Sequence, residues 1–169
     1  MTESGASQEL THFDEAGNAV MVDVTEKAIT RRRAEAHCWI RGLDDFDEVL
    51  REKDHAEVLT VARVAGVFGA KKTSSLIPLC HPLPLSSIEV LFVLENDSIE
   101  IIAAVETESQ TGVEMEALSA CGVTALSIAS QLGPRNAGLL IDGLELLVKS
   151  GGRSGLWMRV SSEAKTTSR

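Results

Sequence analysis

Apolar and polar residues alternate with a period of two along residues 30–41. One side of this alternation carries Ala34, Ala36, Cys38 and Ile40, and the positions between them are mostly charged or aromatic. A strand that buries one face and leaves the other in polar surroundings gives this pattern. We therefore predict a strand over residues 30–41 whose small and aliphatic side chains face the core.

Further strands are predicted where short apolar runs are bounded by turn residues. These runs cover residues 18–24, 87–95, 98–109, 143–149 and 156–160. Asn96-Asp97 separates two of the runs and is typical of a tight hairpin turn.

Apolar residues recur at helical spacing in other parts of the chain. Residues 44–53 begin with an acidic turn, and residues 57–71 repeat apolar positions every three or four residues. A longer pattern over residues 111–132 stops at Gly133-Pro134. This order of strands and helices predicts an α+β protein with a mainly antiparallel sheet and helices packed on one face.

The length and composition of the chain predict one domain. Of the 169 residues, 44% are hydrophobic, which is enough for a sizeable core. We assign the domain to residues 18–160. Residues 1–17 are polar and are expected to form a flexible N-terminal arm, and residues 161–169 a disordered tail.

The sequence also bears on where the protein acts. No run of 18 or more apolar residues occurs, and the first residues lack the basic and apolar regions of a signal peptide. The three cysteines are an odd number at wide spacings, which favours reduced thiols over disulfides or a zinc site. We therefore expect a cytoplasmic protein without a membrane partner.

The charge balance argues against a nucleic-acid-binding protein. The formal net charge is −9 and the pI is about 4.9, whereas phosphate backbones are usually bound by a basic face. Two Trp, four Phe and no Tyr leave no stacking platform for single strands. A small phosphorylated molecule can still bind where cations gather locally.

The segment Leu76–Leu85 contains three prolines and one histidine, His81. Proline forbids a regular helix and donates no hydrogen bond to a sheet, so we predict a rigid, mostly extended connection that holds the imidazole still. Cys80 precedes the histidine, and adjacent side chains on an extended segment point to opposite faces. A shared metal ion is therefore disfavoured, and Cys80 is better explained as a small buried apolar residue.

Two carboxylates begin the third predicted helix, Glu114 and Glu116. Acidic residues in a first turn stabilise the helix dipole, and two so close in sequence can also form an acid–base pair. The residues alone leave both interpretations open.

Several basic residues are candidate anion contacts. Arg31–Arg33 form either a solvated charge run or such a contact, and Lys71 also complements the dipole of its predicted helix. A glycine-rich loop over residues 150–155 is flanked by Lys149 and contains Arg153, so backbone N–H groups and two cations can surround an anion there. The pattern thus gives a candidate pocket but no substrate.

Five stretches resemble the motifs of one known family in order and spacing. They are Met21-Val22-Asp23-Val24, Ala70-Lys71-Lys72-Thr73, Leu76–Leu85, TGVEMEAL over residues 111–118, and Lys149-Ser150-Gly151-Gly152. Together they resemble the molybdenum cofactor biosynthesis protein C family, also called the cyclic pyranopterin monophosphate synthases. The proline segment and TGVEMEAL are its most specific motifs.

This resemblance implies a ferredoxin-like fold, a homohexamer built as a trimer of dimers, and a site at a subunit interface. Family members convert a cyclic dihydro-GTP, made by a radical enzyme, into the pyranopterin, and the reaction releases pyrophosphate and closes a cyclic phosphate. The implied function is a lyase or cyclase of molybdenum cofactor biosynthesis. Its substrate is a phosphorylated small molecule, and we expect no metal or other cofactor.

By the same resemblance, His81, Glu114 and Glu116 match the residues that transfer protons. The implied substrate- and phosphate-binding residues are Asp23, Arg32, Lys71, Cys80, Met115, Lys149 and Arg153. Packing alone also explains Met115, which lies between the two glutamates.

Three positions depart from the family pattern. His55, Ser130 and Gly133 stand where the family has a lysine, an aspartate and another lysine. Histidine is the better proton shuttle near neutral pH and lysine the better cation, so we include His55 among the candidate catalytic residues.

These departures leave two alternatives to the synthase. One is a diverged family enzyme that uses the retained pocket for acid–base cyclisation or elimination on another small molecule, as in specialised metabolism. The other is a non-catalytic paralogue subunit.

Overall fold

The computed structural model describes residues 12–42, 55–95, 97–132 and 138–160. The strands are β1 (Thr30–Arg41), β2 (Leu85–Leu94), β3 (Ser98–Ser109), β4 (Leu140–Ser150) and β5 (Trp157–Met158). The helices are α1 (His55–Lys71), α2 (Thr73–Leu76) and α3 (Glu114–Leu132).

The described strands form one sheet in the order β2-β3-β1-β4-β5, and every neighbouring pair is antiparallel. Helix α1 follows β1 along the chain and α3 follows β3. Both long helices cover the same face, because α3 contacts β1, β3 and β4 while α1 contacts α3 and β2. The predicted α+β class, the ferredoxin-like arrangement and the antiparallel sheet are confirmed.

The face of β1 that meets the helices is made of small and aliphatic residues. Ala34, Ala36, Cys38 and Ile40 have no exposed surface, so the predicted orientation of this strand is confirmed. Their small size lets α3 approach closely, and the Cys121 thiol donates to the carbonyl oxygen of Ala36 at 3.3 Å. The burial of this apolar face is a main source of stability.

Helices α1 and α3 pack against each other at glycine positions. A Cβ atom added to Gly69 would lie 2.8 Å from Cβ of Val123 and 2.9 Å from the carbonyl oxygen of Ser119. The two backbones are therefore nearly in contact, which fixes the end of α1 relative to α3.

In the described part of the chain, no helix has the length and apolar character of a membrane span.

The opposite face of the sheet near the start of β1 is charged. Arg31 and Arg33 donate to the two carboxylate oxygens of Glu106 at 2.7 and 2.8 Å. Arg32 lies between them in sequence and extends to the other face, as strand alternation requires. Arg31 and Arg33 thus form ion pairs, and an anion contact of Arg32 stays a prediction.

The predicted strand over residues 18–24 is wrong. Among the described residues, this part of the chain pairs only through an isolated bridge between Phe13 and Ala19. The carboxylate of Asp14 accepts the N–H of Asn18 at 2.7 Å. Local bonds of this kind, from side chain to backbone, compete with sheet pairing.

Other predicted boundaries shift by a few residues. Strand β2 begins at Leu85 rather than at residue 87, β4 is longer than predicted at both ends, and β5 is limited to two residues. The single turn of α2 was not expected from the sequence. The predicted helix over residues 44–53 lies outside the described residues, as do residues 1–11 and 161–169.

Candidate active site

The first turn of α3 forms one wall of the candidate site. The N–H of Ala117 donates to the carbonyl oxygen of Val113 at 3.1 Å, so the helix begins immediately after Val113, and Glu114 and Glu116 lie in its first turn. Valine offers no side-chain acceptor that could cap the open N–H groups. The preceding residue is Gly112, and a Cβ atom there would displace the carboxylate of Glu114 from its position.

The proline segment forms a second wall. The N–H of Cys80 donates to the carbonyl oxygen of Ile77 at 3.3 Å and closes a turn with Pro78 and Leu79 at its centre. Leu79 has a φ of 66°, a left-handed conformation that costs a leucine about 1–2 kcal/mol. Such a conformation persists only when the surrounding structure holds it, and here it lies two residues before His81. The prediction of a mostly extended connection over Leu76–Leu85 is wrong for its first part, because Leu76 ends α2 and residues 77–80 form this turn.

His81, Glu114 and Glu116 line one cavity of about 260 Å³, which we call the inner cavity. Cys80 and Met115 also line it. The structure thus brings together five of the residues that the sequence analysis assigned to the site. Their individual roles remain predictions.

Glu116 is the buried carboxyl group of the inner cavity, with 4% of its surface exposed. Burial raises its pKa to about 7, and the negative charge of Glu114 adds to the effect. A carboxyl group with this pKa exchanges its proton near neutral pH, as a general acid or base must. Burial and the charge of Glu116 also raise the pKa of the Cys80 thiol, which disfavours the thiolate.

Asp23 lies near the inner cavity without lining it. Its carboxylate accepts the N–H and O–H groups of Thr25 at 2.8 and 2.6 Å. These hydrogen bonds, followed by the charges of His81 and Lys27, lower the pKa of Asp23. Asp23 is therefore within electrostatic range of His81, although it does not line the inner cavity.

Arg32 and Lys149 lie beside Glu114 at a narrow cleft of about 40 Å³. The ammonium group of Lys149 is 3.4 Å from Oε1 of Glu114, which links this cleft to the inner cavity. The guanidinium group of Arg32 donates to the carbonyl oxygens of Ser109 and Gln110 at 3.4 and 3.2 Å. Both cations are thus held in place by groups at the end of β3 and the start of α3.

Gly152 leaves the space that Arg32 occupies. Its φ is +65°, and a Cβ atom built there would lie 2.5 Å from Cζ of Arg32. Gly155 in the same loop has a similar φ of +61°, but a Cβ atom there would meet nothing within 4 Å. The glycine at 152 is therefore needed for the position of the arginine as well as for the backbone turn.

A larger cavity of about 630 Å³, which we call the outer cavity, adjoins these residues. Arg32, Arg153 and Lys27 line it. The inner and outer cavities share Lys27, Thr111 and Gly112 as lining residues, so they are direct neighbours. The titratable groups of the inner cavity thus adjoin a cationic space in the outer one.

Some of the predicted residues are not part of these cavities. Lys71 is exposed at the end of α1 and lines neither cavity nor the cleft. The side chain of His55, and Gly133, lie outside the described residues. Ser130 is exposed in the last turn of α3, about 21 Å from Glu116 at 1.5 Å of rise per residue.

Seven lining residues of the inner cavity were not among the predicted site residues: His12, Val22, Lys27, Leu79, Leu83, Thr111 and Gly112. Of these, His12 and Lys27 also lie outside the motifs. Lys27 lies at the site because the fold brings its loop to the end of β3. There the side-chain amide of Gln110 donates to the carbonyl oxygen of Thr25 at 3.1 Å. The only local signal for it is the Met-Val-Asp-Val motif a few residues earlier.

The site combines three chemical capacities. A buried carboxyl group and an imidazole can transfer protons, and an enclosed cavity can orient a ring system. Adjoining cations can bind phosphate and stabilise a leaving anion. This combination suits an acid–base rearrangement of a phosphorylated small molecule.

Comparison with known proteins agrees with this chemistry. Residues 21–152 match the model of the MoaC family. The chain is 50% identical over 161 residues to a cyclic pyranopterin monophosphate synthase of Thermomicrobium roseum, across 93% of this chain and 97% of the relative. Proteins of the same name from Corynebacterium efficiens and Streptomyces avermitilis are 47% and 42% identical, across 88% and 91% of this chain and 97% and 92% of theirs. The chain therefore belongs to the MoaC family.

Proposed function

We propose that this protein is a cyclic pyranopterin monophosphate synthase, a lyase that rearranges a cyclic dihydro-GTP and releases pyrophosphate in molybdenum cofactor biosynthesis. The observation that carries the proposal is that His81, Glu114 and Glu116 line one cavity beside a cationic one. Opening and closing rings needs proton transfer, and a triphosphate needs cations. Family membership supports the same assignment.

We assign the reaction to the cytoplasm, where the three free cysteines stay reduced.

Glu116 is the group to which we assign proton donation. With a pKa of about 7, both of its protonation states are populated at neutral pH, and only the neutral carboxyl group donates. Glu114 and His81 would accept or return protons at other atoms of the same substrate. The negative charge of Asp23 would offset the positive charge that His81 acquires when it takes a proton. Cys80, as a thiol, would contact the ring system.

The phosphate chain is assigned to the basic residues around the cleft and the outer cavity. Arg32 and Lys149 are preorganised by their hydrogen bonds and ion pair, so they would bind with little loss of side-chain freedom. Arg153 is exposed and would fold onto the ligand. Lys71 is assigned to the same task by family resemblance, and Met115 to contact with the ring.

The complete site is proposed to lie between subunits of a homohexamer arranged as a trimer of dimers. Gln131 near the end of α3 donates to the carbonyl oxygen of Val58, so the start of α1 adjoins the end of α3. This end carries the family positions 55 and 130, far along the helix from Glu116. Residues at both ends can serve one substrate only if a second subunit supplies one of the two groups.

An apolar stripe on α1 supports assembly. Val61, Val64 and Phe68 lie three or four residues apart on one face of the helix, and each is more than half exposed, at 52%, 52% and 60%. Contiguous exposed apolar surface of this kind usually marks a contact between proteins.

Purified protein incubated with the cyclic dihydro-GTP should release pyrophosphate and form a pterin that fluoresces after oxidation. His81→Ala and Glu116→Gln should each lower turnover by about 10²–10⁴-fold, because each removes a proton-transferring group. Glu108→Gln changes an exposed carboxylate of β3 and is the matched control, for which turnover should be unchanged. A folded, assembled protein that releases no pyrophosphate would rule out this function and favour another substrate for the same pocket.

Gly152→Ala should lower kcat/KM by on the order of 10²-fold, because the new methyl group displaces the guanidinium of Arg32. Gly155→Ala carries a similar left-handed strain without the overlap, so it should change kcat/KM by a few-fold at most. Both variants should lose similar stability, about 1–2 kcal/mol, in urea unfolding. Equal activity of the two variants would show that the position of Arg32 does not depend on Gly152.

Co-expression of His81→Ala and His55→Ala chains tests the shared site. If each site takes His81 from one subunit and position 55 from another, about a quarter of the sites in random mixed oligomers are intact and activity returns to that level. Light scattering should give a mass about six times the 18.1 kDa of the chain. An active monomer, full activity of His55→Ala alone, or no recovery in the mixture would contradict the shared site.

A further inference from the structure

Lys27 lies at the boundary between the inner and outer cavities and lines both of them. It is half-buried, although both of its neighbours in sequence are exposed. Arg32 and Arg153 line the outer cavity but not the inner one, and the reverse holds for His81. Among the described residues that line these two cavities, Lys27 is the cation common to both.

The charge environment of Lys27 differs from that of Lys149. Lys149 is paired with Glu114 at 3.4 Å, whereas in the described residues no carboxylate oxygen lies within ion-pair distance of the Lys27 ammonium group. Asp23 and the exposed Glu26 contribute negative charge nearby, but the Asp23 carboxylate is already engaged by hydrogen bonds to Thr25. The ammonium group of a half-buried lysine that has no close partner among the described residues is suited to pair with an anionic ligand.

The loop that carries Lys27 is held in place. The N–H of Lys27 donates to the carbonyl oxygen of Val24 at 2.9 Å and closes a turn. The side chain of Gln110 holds the carbonyl oxygen of Thr25 at 3.1 Å, and the backbone carbonyl of the same glutamine holds Arg32 at 3.2 Å. One residue at the end of β3 thus fixes the backbone near Lys27 and the guanidinium of Arg32 together.

We infer that Lys27 is a substrate-binding residue that holds the phosphate group between the ring system and the rest of a nucleotide-derived triphosphate chain. This inference rests on the proposed function, which requires a ring in the inner cavity and phosphates in the outer one. The phosphate that joins the two parts must then cross their shared boundary. Lys27 lies at that boundary, is half-buried and has an anchored backbone, so binding costs little reorganisation.

Titration with inorganic tripolyphosphate, followed by calorimetry, tests this inference without requiring turnover. Lys27→Gln should weaken binding by roughly 10- to 100-fold, the effect of losing one charge-assisted contact. Lys27→Arg keeps the charge and should retain most of the affinity. Lys72→Gln is the matched control, because this exposed lysine lines neither cavity, and its affinity should equal that of the unmodified protein. In turnover assays, Lys27→Gln should raise KM more than it lowers kcat.

The outcomes separate this inference from the proposed function. Equal tripolyphosphate affinity of Lys27→Gln and the unmodified protein would overturn the role of Lys27, even if the protein turns over the cyclic dihydro-GTP. Absence of any tripolyphosphate binding by the unmodified protein would overturn it as well. Binding that depends on Lys27 in a protein that releases no pyrophosphate would support the lysine as a phosphate site and reject the synthase.

Discussion

The close approach of α3 to β1 is the constraint on which the rest of the structure depends. The thiol of Cys121 donates to the carbonyl oxygen of Ala36, and the thiol of Cys38 donates to the carbonyl oxygen of Cys121 at 3.6 Å. Helix and strand are this close because the strand carries alanine and cysteine on its inner face. A larger side chain at Ala36 would push the helix outward, together with the two carboxylates of its first turn.

The fixed position of α3 explains why Glu116 is buried and has a raised pKa. The turn that contains Leu79 has a strained backbone, and it lines the inner cavity together with the buried Glu116 of α3. The folded protein therefore binds the proton of Glu116 more tightly than the unfolded chain, whose carboxyl group titrates near 4.5. By linkage, the contribution of Glu116 to the free energy of unfolding falls as pH rises from about 4.5 to about 7. The protein thus keeps a buried carboxyl group at a cost in stability, as functional sites often do.

Residues whose environment is set by local pattern could be predicted from the sequence. The alternation along β1 gave its bounds and its buried face, and the proline segment with His81 indicated the site through its residue types alone. The predicted strand over residues 18–24 does not form, because the side chains of Asp14 and Asp23 accept the backbone N–H groups of Asn18 and Thr25 at its two ends. Apolar runs in the sequence do not reveal this competition. Lys27 was missed because its place depends on Gln110, which is distant in sequence and carries no motif. Positions 55 and 130 are family site positions by resemblance. Position 130 lies at the end of α3 that is far from Glu116, and α1, which begins at residue 55, starts beside that same end.

The most direct test of a site built around a protonated buried carboxyl group is to measure the titration of Glu116 itself. The side-chain carboxyl carbon can be followed by NMR in protein labelled with carbon-13 glutamate, and Glu116→Gln identifies its signal by the loss of one resonance. The structure predicts a midpoint of about 7 for this carbon. A midpoint near the ordinary value of 4.5 would contradict the assignment of Glu116 as the proton donor at neutral pH.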